Sequence, residues 1–166
     1  MTVSDSVRAA RPEDLPRLRA IQTVVLAEPW PELLTVAVDG PPVCLVYADA
    51  DPEARSATDP DPGATPGPTA YALAVVDDDA GYLAELAVAD GHRGEGQGSA
   101  LLAALVDRLR IRGVETLRVT VREVDERARS FYESQGFVDR ERLPDHYEDC
   151  DGHLLERAVG STDQGR

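Results

Sequence analysis

The stretch with the clearest chemical character is a glycine-rich loop between a predicted strand and a predicted helix. Arg93 is followed by Gly94, Gly96 and Gly98, and Ser99 begins the predicted helix. Glycines remove side chains, so that several backbone N–H groups can converge on one point. The helix N-terminus and the arginine add positive charge there. This combination favours a cradle for a phosphate or pyrophosphate group.

Two common phosphate-binding motifs do not fit this loop. A Walker loop requires a lysine after its glycines, and the chain contains no lysine. A dinucleotide fingerprint requires a different glycine spacing and a parallel strand–helix–strand unit at its start. The loop therefore predicts phosphate binding of another kind.

The elements that must position the loop alternate in a mixed order. Apolar spacing predicts a first helix from Arg11 through Val25. Residues 32–39 are ambiguous between helix and strand, with helix favoured. A strongly amphipathic helix follows the loop over 99–112, and Asp125 caps a helix that extends through Gln135. Strands are predicted over 7–10, 43–48, 70–76, 82–89, 117–121, 137–143 and 153–159. This order predicts an α/β domain on one mixed sheet of about six to seven strands flanked by helices.

Length and composition exclude several classes of protein. The chain has 166 residues, of which 42% are apolar and 29% charged, as expected for one globular domain over 1–160 with a loose tail over 161–166. Two cysteines and three histidines make a structural metal site improbable, so no metal is expected. No apolar run approaches the roughly 20 residues that span a bilayer, and the start resembles no secretory signal. A cytoplasmic protein without a membrane partner is expected.

The charge is unusual in kind as well as in size. The formal net charge is −14, all 17 basic residues are arginine, and asparagine is absent. This balance excludes a nucleic-acid partner, which requires a basic surface. An acidic, lysine-free composition is favoured in a cytoplasm full of salt, and the excess of aspartate points to a halophile. A GC-rich genome would also replace lysine by arginine, and this alternative stays open.

One segment lacks any apolar periodicity. Residues 49–69 contain five of the twelve prolines. Such a composition predicts a disordered insertion between two strands.

Two segments resemble the GNAT family of N-acetyltransferases. Arg93-x-x-Gly96-x-Gly98 after Leu86-x-Val88 resembles its acetyl-CoA-binding motif A, and residues 128–137 (Ala-Arg-Ser-Phe-Tyr-Glu-Ser-Gln-Gly-Phe) resemble its motif B. The opening residues 7–15 are also similar to the usual start of this family. The resemblance covers nearly the whole chain except 49–69 and the tail. It implies the GNAT acyltransferase fold, with acetyl-CoA as the acetyl donor.

The resemblance also implies roles for individual residues. Tyr132, in the tyrosine position of motif B, would protonate the departing thiolate. Backbone groups of Leu86, Ala87 and Val88 would pair with pantetheine like an extra strand. The other implied cofactor-binding residues are Arg93, Gly94, Glu95, Gly96, Gln97, Gly98 and Ser99, which would hold the pyrophosphate, together with Asp125 and Arg129.

The general base is left open between two residues. Ribosomal-protein acetyltransferases of this family carry a glutamate twelve residues ahead of the tyrosine, where this chain has Thr120. Tyr82 and Glu85, on the motif A strand, are the remaining candidates. Strand alternation places them on opposite faces unless a bulge intervenes, as it often does in this family. A weak base suffices for an α-amine, whose pKa of about 7.8 leaves part of it neutral at pH 7.

Residues 145–154 indicate where the acceptor amine would bind. They resemble the tyrosine-rich hairpin of N-terminal acetyltransferases, which makes His146 and Tyr147 candidates for substrate binding; an ordinary exposed loop is the alternative. The expected partners are acetyl-CoA and an amine acceptor. The protein itself is expected to be a monomer or a homodimer. The leading hypothesis is acetylation of protein N-termini. Acetylation of a small amine and a non-catalytic acyl-CoA sensor are the alternatives.

Overall fold

Seven strands form one mixed sheet in the order β1-β2-β3-β4-β5-β7-β6. The computed structural model describes residues 6–26, 29–39, 42–48, 67–94 and 96–159. The strands are β1 (Val7–Ala9), β2 (Val43–Tyr47), β3 (Ala70–Asp77), β4 (Ala80–Val88), β5 (Thr116–Arg122), β6 (Val138–Leu143) and β7 (Gly152–Ala158). The helices that flank the sheet are α1 (Leu15–Val25), α2 (Pro31–Ala37), α3 (Gln97–Ile111) and α4 (Glu126–Ser134). The predicted mixed α/β sheet is confirmed.

The chain divides into two compact units. The first consists of Met1–Leu73 and Glu85–Leu105, and the second of Ala74–Ala84 and Val106–Arg166. In the first unit β1 pairs with β2 in antiparallel orientation, and Leu18, Leu34 and Leu45 are fully buried. The start of α3 adds Leu101, Leu102 and Leu105 to this core.

The second unit is built around β5. This strand pairs with β7 over its whole length, from Thr116 opposite Ala158 to Arg122 opposite Gly152. It also pairs in parallel with β4, from Ala80 to Tyr82. Its buried residues alternate with half-buried ones, so Leu117, Val119 and Val121 face one side while Thr120 faces the other. This pairing holds Thr120 firmly in register.

Several element boundaries differ from the prediction. The turn between β3 and β4 is shorter, because Asp78 adopts a positive φ of 55° and lets β4 begin at Ala80 rather than Tyr82. Helix α3 begins at Gln97, two residues before the predicted start. The last three residues of the predicted insertion belong to the described fold: Pro68 is buried and its carbonyl accepts a hydrogen bond from Arg17 Nε (2.9 Å). The rest of that segment, 49–66, and the tail lie outside the described residues.

Candidate active site

The glycine-rich loop has a backbone that requires glycine. Gly94 and Gly96 adopt φ values of +80° and +83°, a left-handed conformation that L side chains rarely adopt. A Cβ atom added at either position would meet nothing within 4 Å. Helix α3 starts directly afterwards, and the first turn of an α-helix directs N–H groups outward from its end. The loop thus combines open space and outward N–H groups, as a phosphate cradle needs. Glu95 lies outside the described residues.

The side chains of Arg93 and Gln97 in this loop differ in their exposure and in their partners. Arg93 is 44% exposed, and its Nη2 lies 3.7 Å from Asp90 Oδ1. An exposed ion pair at that distance is weak, so the guanidinium can exchange this partner for a phosphate. Gln97, by contrast, is buried and its Oε1 accepts a hydrogen bond from the Thr69 hydroxyl (2.7 Å). Through its side chain Gln97 therefore anchors the loop to the start of β3.

Strand β4 carries both candidate bases, in different surroundings. Gly81, Leu83, Glu85 and Ala87 are buried, and the residues between them are half-buried or exposed. This alternation runs without interruption, as in a regular strand without a bulge. Tyr82 and Glu85 therefore lie on opposite faces of β4. Leu86 and Val88 are half-buried on the same side as Tyr82.

The Glu85 carboxylate is already fully engaged. Its Oε1 accepts hydrogen bonds from Gln22 Nε2 (2.8 Å) and the Tyr71 hydroxyl (2.8 Å), and its Oε2 accepts one from the Trp30 backbone N–H (2.6 Å). Burial, together with the Glu85 charge, raises the pKa of Tyr71 well above its usual range. Burial also raises the pKa of the Cys44 thiol to about 12, and the charges of Asp14 and Glu85 add to this effect. Glu85 thus joins α1, the start of α2 and two strands.

Replacing Glu85 by alanine should destabilise the protein by about 3 kcal/mol, because it leaves several buried donors without an acceptor. For a chain of this length the thermal midpoint should fall by roughly 6–12 °C. Thermal unfolding followed by circular dichroism measures this shift. Glu32→Ala, on the exposed first turn of α2, is the matched control and should stay within about 0.5 kcal/mol of the wild type. An unchanged midpoint with lost activity would instead identify Glu85 as the base.

Tyr82, Thr120 and Tyr147 form a second polar group, which lies within the second unit. The hydroxyls of Tyr82 and Thr120 share a hydrogen bond of 2.9 Å, and the Tyr147 hydroxyl lies at 3.5 Å from Thr120 Oγ1. Tyr82 is 38% exposed. We refer to these three residues as the hydroxyl cluster. Thr120 is unsuited to act as a base, and its contacts with two candidate site residues were not predicted. The alternation of β5 predicts the face on which Thr120 lies but not its partners.

The loop between β6 and β7 is tied down around Tyr147. Its ring meets the His146 ring edge-on, with centroids 4.8 Å apart, and the guanidinium carbon of Arg122 lies 5.0 Å from its centroid. Gly152, at the start of β7, has no room for a side chain, because a Cβ atom there would lie 3.0 Å from a Tyr147 ring carbon. The backbone N–H of Tyr147 donates to the Cys150 carbonyl (3.0 Å). The two predicted acceptor-binding residues therefore have a defined arrangement.

Tyr132 lies in an apolar setting on α4. It is buried, and its ring packs edge-on against Phe131 and Phe137, with centroids 5.1 and 5.3 Å away. Burial raises the pKa of its hydroxyl above the usual range, and the charges of Asp125 and Tyr147 act in the same direction. The phenol consequently keeps its proton throughout the neutral range, as a general acid must.

The last two predicted cofactor-binding residues have structural contacts as well. Asp125 caps α4, since its Oδ1 accepts a hydrogen bond from the Ala128 N–H (3.0 Å). Arg129 Nη1 donates to the Glu123 carbonyl (3.3 Å). Its Nε is buried and finds no hydrogen-bond partner within the described chain. An unpartnered buried donor in motif B is compatible with a ligand acceptor.

The part of the chain that the structure describes shows neither a membrane-spanning helix nor a metal-binding cluster. None of the helices in this part of the chain is long and apolar enough to cross a membrane. Across the same ranges, no three His, Cys, Asp or Glu side chains are grouped so that they could hold a metal ion.

Comparison with known proteins adds independent information. Residues 18–137 match the model of the Acetyltransferase (GNAT) family. The [ribosomal protein bS18]-alanine N-acetyltransferase of Escherichia coli K12 is 37% identical over 83 residues, which make up 50% of this chain and 56% of that protein. The chain thus spans about half the length of the curated relatives it matches.

Solved structures agree with the fold. The crystal structure of the ribosomal-protein-S18-alanine N-acetyltransferase from Escherichia coli has a TM-score of 0.76 at 23% identity and covers 95% of both chains. Arabidopsis thaliana NAA60 in complex with acetyl-CoA has a TM-score of 0.76 at 19% identity and covers 93% of this chain and 98% of that one.

Proposed function

Since the chain belongs to the acetyltransferase (GNAT) family, we propose that it transfers the acetyl group of acetyl-CoA to the N-terminal α-amine of a protein. The observation that carries the donor part of this proposal is the left-handed backbone at Gly94 and Gly96 directly before α3. A relative of 37% identity is named for acetylating an alanine of a ribosomal protein. A polypeptide that begins with alanine is therefore the first acceptor to test.

The chain offers groups suited to hold the donor. The loop from Arg93 to Ser99 would bind the pyrophosphate through backbone N–H groups and the Arg93 guanidinium. Strand β4 pairs in parallel with β5 over Ala80–Tyr82. Beyond this paired stretch, the backbone of Leu86–Val88 would offer a strand edge to the extended pantetheine. Arg129 Nε would supply one more donor.

Tyr132 would supply the proton of the transfer. The amine nitrogen bonds to the acetyl carbon while the carbon–sulfur bond breaks, and the phenol gives its proton to the sulfur. For the proton that leaves the nitrogen, the exposed Tyr82 is a better placed group than Glu85, whose carboxylate already accepts three hydrogen bonds. His146 and Tyr147 would lie against the acceptor.

Acetyl transfer to peptides tests this proposal. The protein is incubated with acetyl-CoA and an alanine-starting peptide, and the product is located by mass spectrometry. The matched control is the same peptide with a blocked N-terminus and one internal lysine. Acetylation of the free α-amine alone supports the proposal. Transfer only to small amines would favour the second enzyme hypothesis, and acetyl-CoA binding without any transfer would favour a sensor.

A further inference from the structure

Thr120 of the hydroxyl cluster lies twelve residues ahead of Tyr132, the spacing at which the family resemblance implies a carboxylate base. Thr120 lies on β5, held opposite Leu154 of β7 by regular antiparallel pairing. Its Oγ1 is within hydrogen-bond distance of both phenols, at 2.9 Å from Tyr82 and 3.5 Å from Tyr147. The Tyr147 hydroxyl donates to this oxygen, and either Thr120 or Tyr82 can be the donor in the bond that they share; in both cases the Tyr82 oxygen keeps at least one lone pair for an amine N–H.

The charged groups around the cluster are paired with one another, and the Arg122 guanidinium also lies over the Tyr147 ring. On β5, Arg118 pairs with Glu156 of β7 (2.8 Å), which also pairs with Arg140 of β6 (3.3 Å). Arg122, on the same face, pairs with Asp149 of the β6–β7 loop. Two further titratable groups interact with Tyr147: His146, in ring contact with it, and Tyr132 of α4, on which the charge of the α4 cap Asp125 also acts. Of the carboxylates beside the cluster, Glu156 and Asp149 are thus held by arginines, and Asp125 accepts a hydrogen bond from the Ala128 N–H.

We infer that Thr120 is a positioning residue for the acceptor, and that the hydroxyl cluster binds the acceptor as an already neutral amine. The inference rests on the proposed function. Three neutral hydroxyls accept N–H hydrogen bonds from a neutral amine but give an ammonium no compensating charge. The substrate class follows from this chemistry: amines of low pKa are accepted, and lysine side-chain amines are discriminated against.

The proton balance of the step closes without an internal carboxylate. The neutral amine forms the carbon–nitrogen bond as the carbon–sulfur bond breaks, and Tyr132 gives its proton to the sulfur. The surplus proton on nitrogen passes through the hydroxyl cluster to water, and the Tyr132 phenolate recovers a proton from water.

The size of the discrimination can be calculated. At pH 7.5, about one third of an α-amine with a pKa near 7.8 is neutral, against about 0.1% of a lysine amine with a pKa near 10.4. The ratio of kcat/KM between the two amines on otherwise matched peptides should therefore be about 250. The acidic limb of the pH–rate profile should follow the pKa of each amine supplied.

Variants of Thr120 test the positioning role. Thr120→Val keeps the shape and removes the hydroxyl, and it should lower kcat/KM for the amine about 10- to 100-fold with unchanged acetyl-CoA affinity in calorimetry. Thr120→Ser keeps a hydroxyl and should recover most of the activity. Thr116→Val, on the same strand and the same face, is the matched control and should behave like the wild type.

The outcomes separate this inference from the function on which it rests. Wild-type turnover in Thr120→Val would overturn the positioning role alone. An acidic limb at one pH for all amines would also overturn it and would point to a protein base such as His146. A wild-type protein that acetylates no amine at all would overturn the proposed function and this inference together.

Discussion

Replacing Tyr132 by phenylalanine should lower the turnover number about 10²–10⁴-fold while leaving the affinity for acetyl-CoA little changed. The substitution keeps the ring that packs against Phe131 and Phe137 and removes only the hydroxyl. Burial raises the pKa of this phenol, but a thiolate expelled into the same apolar surroundings also has its pKa raised. The two acidities therefore stay comparable, and proton transfer remains feasible.

Steady-state kinetics with separate kcat and KM values measure this effect, and calorimetry measures donor affinity. Because the raised pKa keeps Tyr132 protonated through the neutral range, wild-type turnover should show no loss from its ionisation below pH 10. Tyr47→Phe removes a half-buried phenol hydroxyl from β2 and should leave turnover unchanged. Near wild-type turnover in Tyr132→Phe would refute the general-acid role, and a raised KM for acetyl-CoA alone would show that the hydroxyl merely binds the donor.

Replacing Gly96 by valine should abolish acetyl-CoA binding without unfolding the protein. The φ of +83° is unfavourable for any β-branched residue, and the branched side chain would fill the open space in front of α3. Both effects act on the loop, and among its described residues only Gln97 has a buried side chain. Isothermal titration with acetyl-CoA, alongside a thermal melt, gives both quantities.

Gly113 provides an unusually close control for this experiment. It has a φ of +82°, and a Cβ there would also meet nothing within 4 Å, but it follows α3 rather than preceding it. Gly113→Val therefore introduces the same backbone strain away from the loop. We expect the two variants to lose similar stability and only Gly96→Val to lose affinity. Equal affinities in both would remove the loop from the donor site.

Much of the fold could be predicted because it depends on local patterns. The amphipathic pattern over 99–112 predicted α3, in which Leu101, Leu105 and Leu109 are buried, and Asp125 caps α4 as predicted. Boundaries were less predictable where backbone conformation decides them. Asp78 can turn the chain within two residues because aspartate tolerates a positive φ, and a run of three aspartates does not show which one does so.

The candidate site was predictable in its motifs and not in its side-chain partners. The glycines and Tyr132 are fixed by position within a motif. The partners of Glu85 are 63, 14 and 55 residues away along the chain, so they meet only when the fold forms. The same holds for Thr120, which lies 38 residues from Tyr82 and 27 from Tyr147. A single sequence contains no signal for such long-range pairs.

The attachment of Trp30 to Glu85 has a spectroscopic consequence. Trp30 is the only tryptophan in the chain, its side chain is 55% exposed, and its backbone N–H is held by a buried carboxylate from β4. The indole is thus a solvent-sensitive fluorophore on a residue whose backbone is held in place at the start of α2. The emission of the indole reports whether the hydrogen bond between Trp30 and Glu85 is intact. The anisotropy of that emission separates local release of Trp30 from unfolding of the whole chain. The protein therefore contains its own fluorescent reporter for the start of α2, and needs no added label.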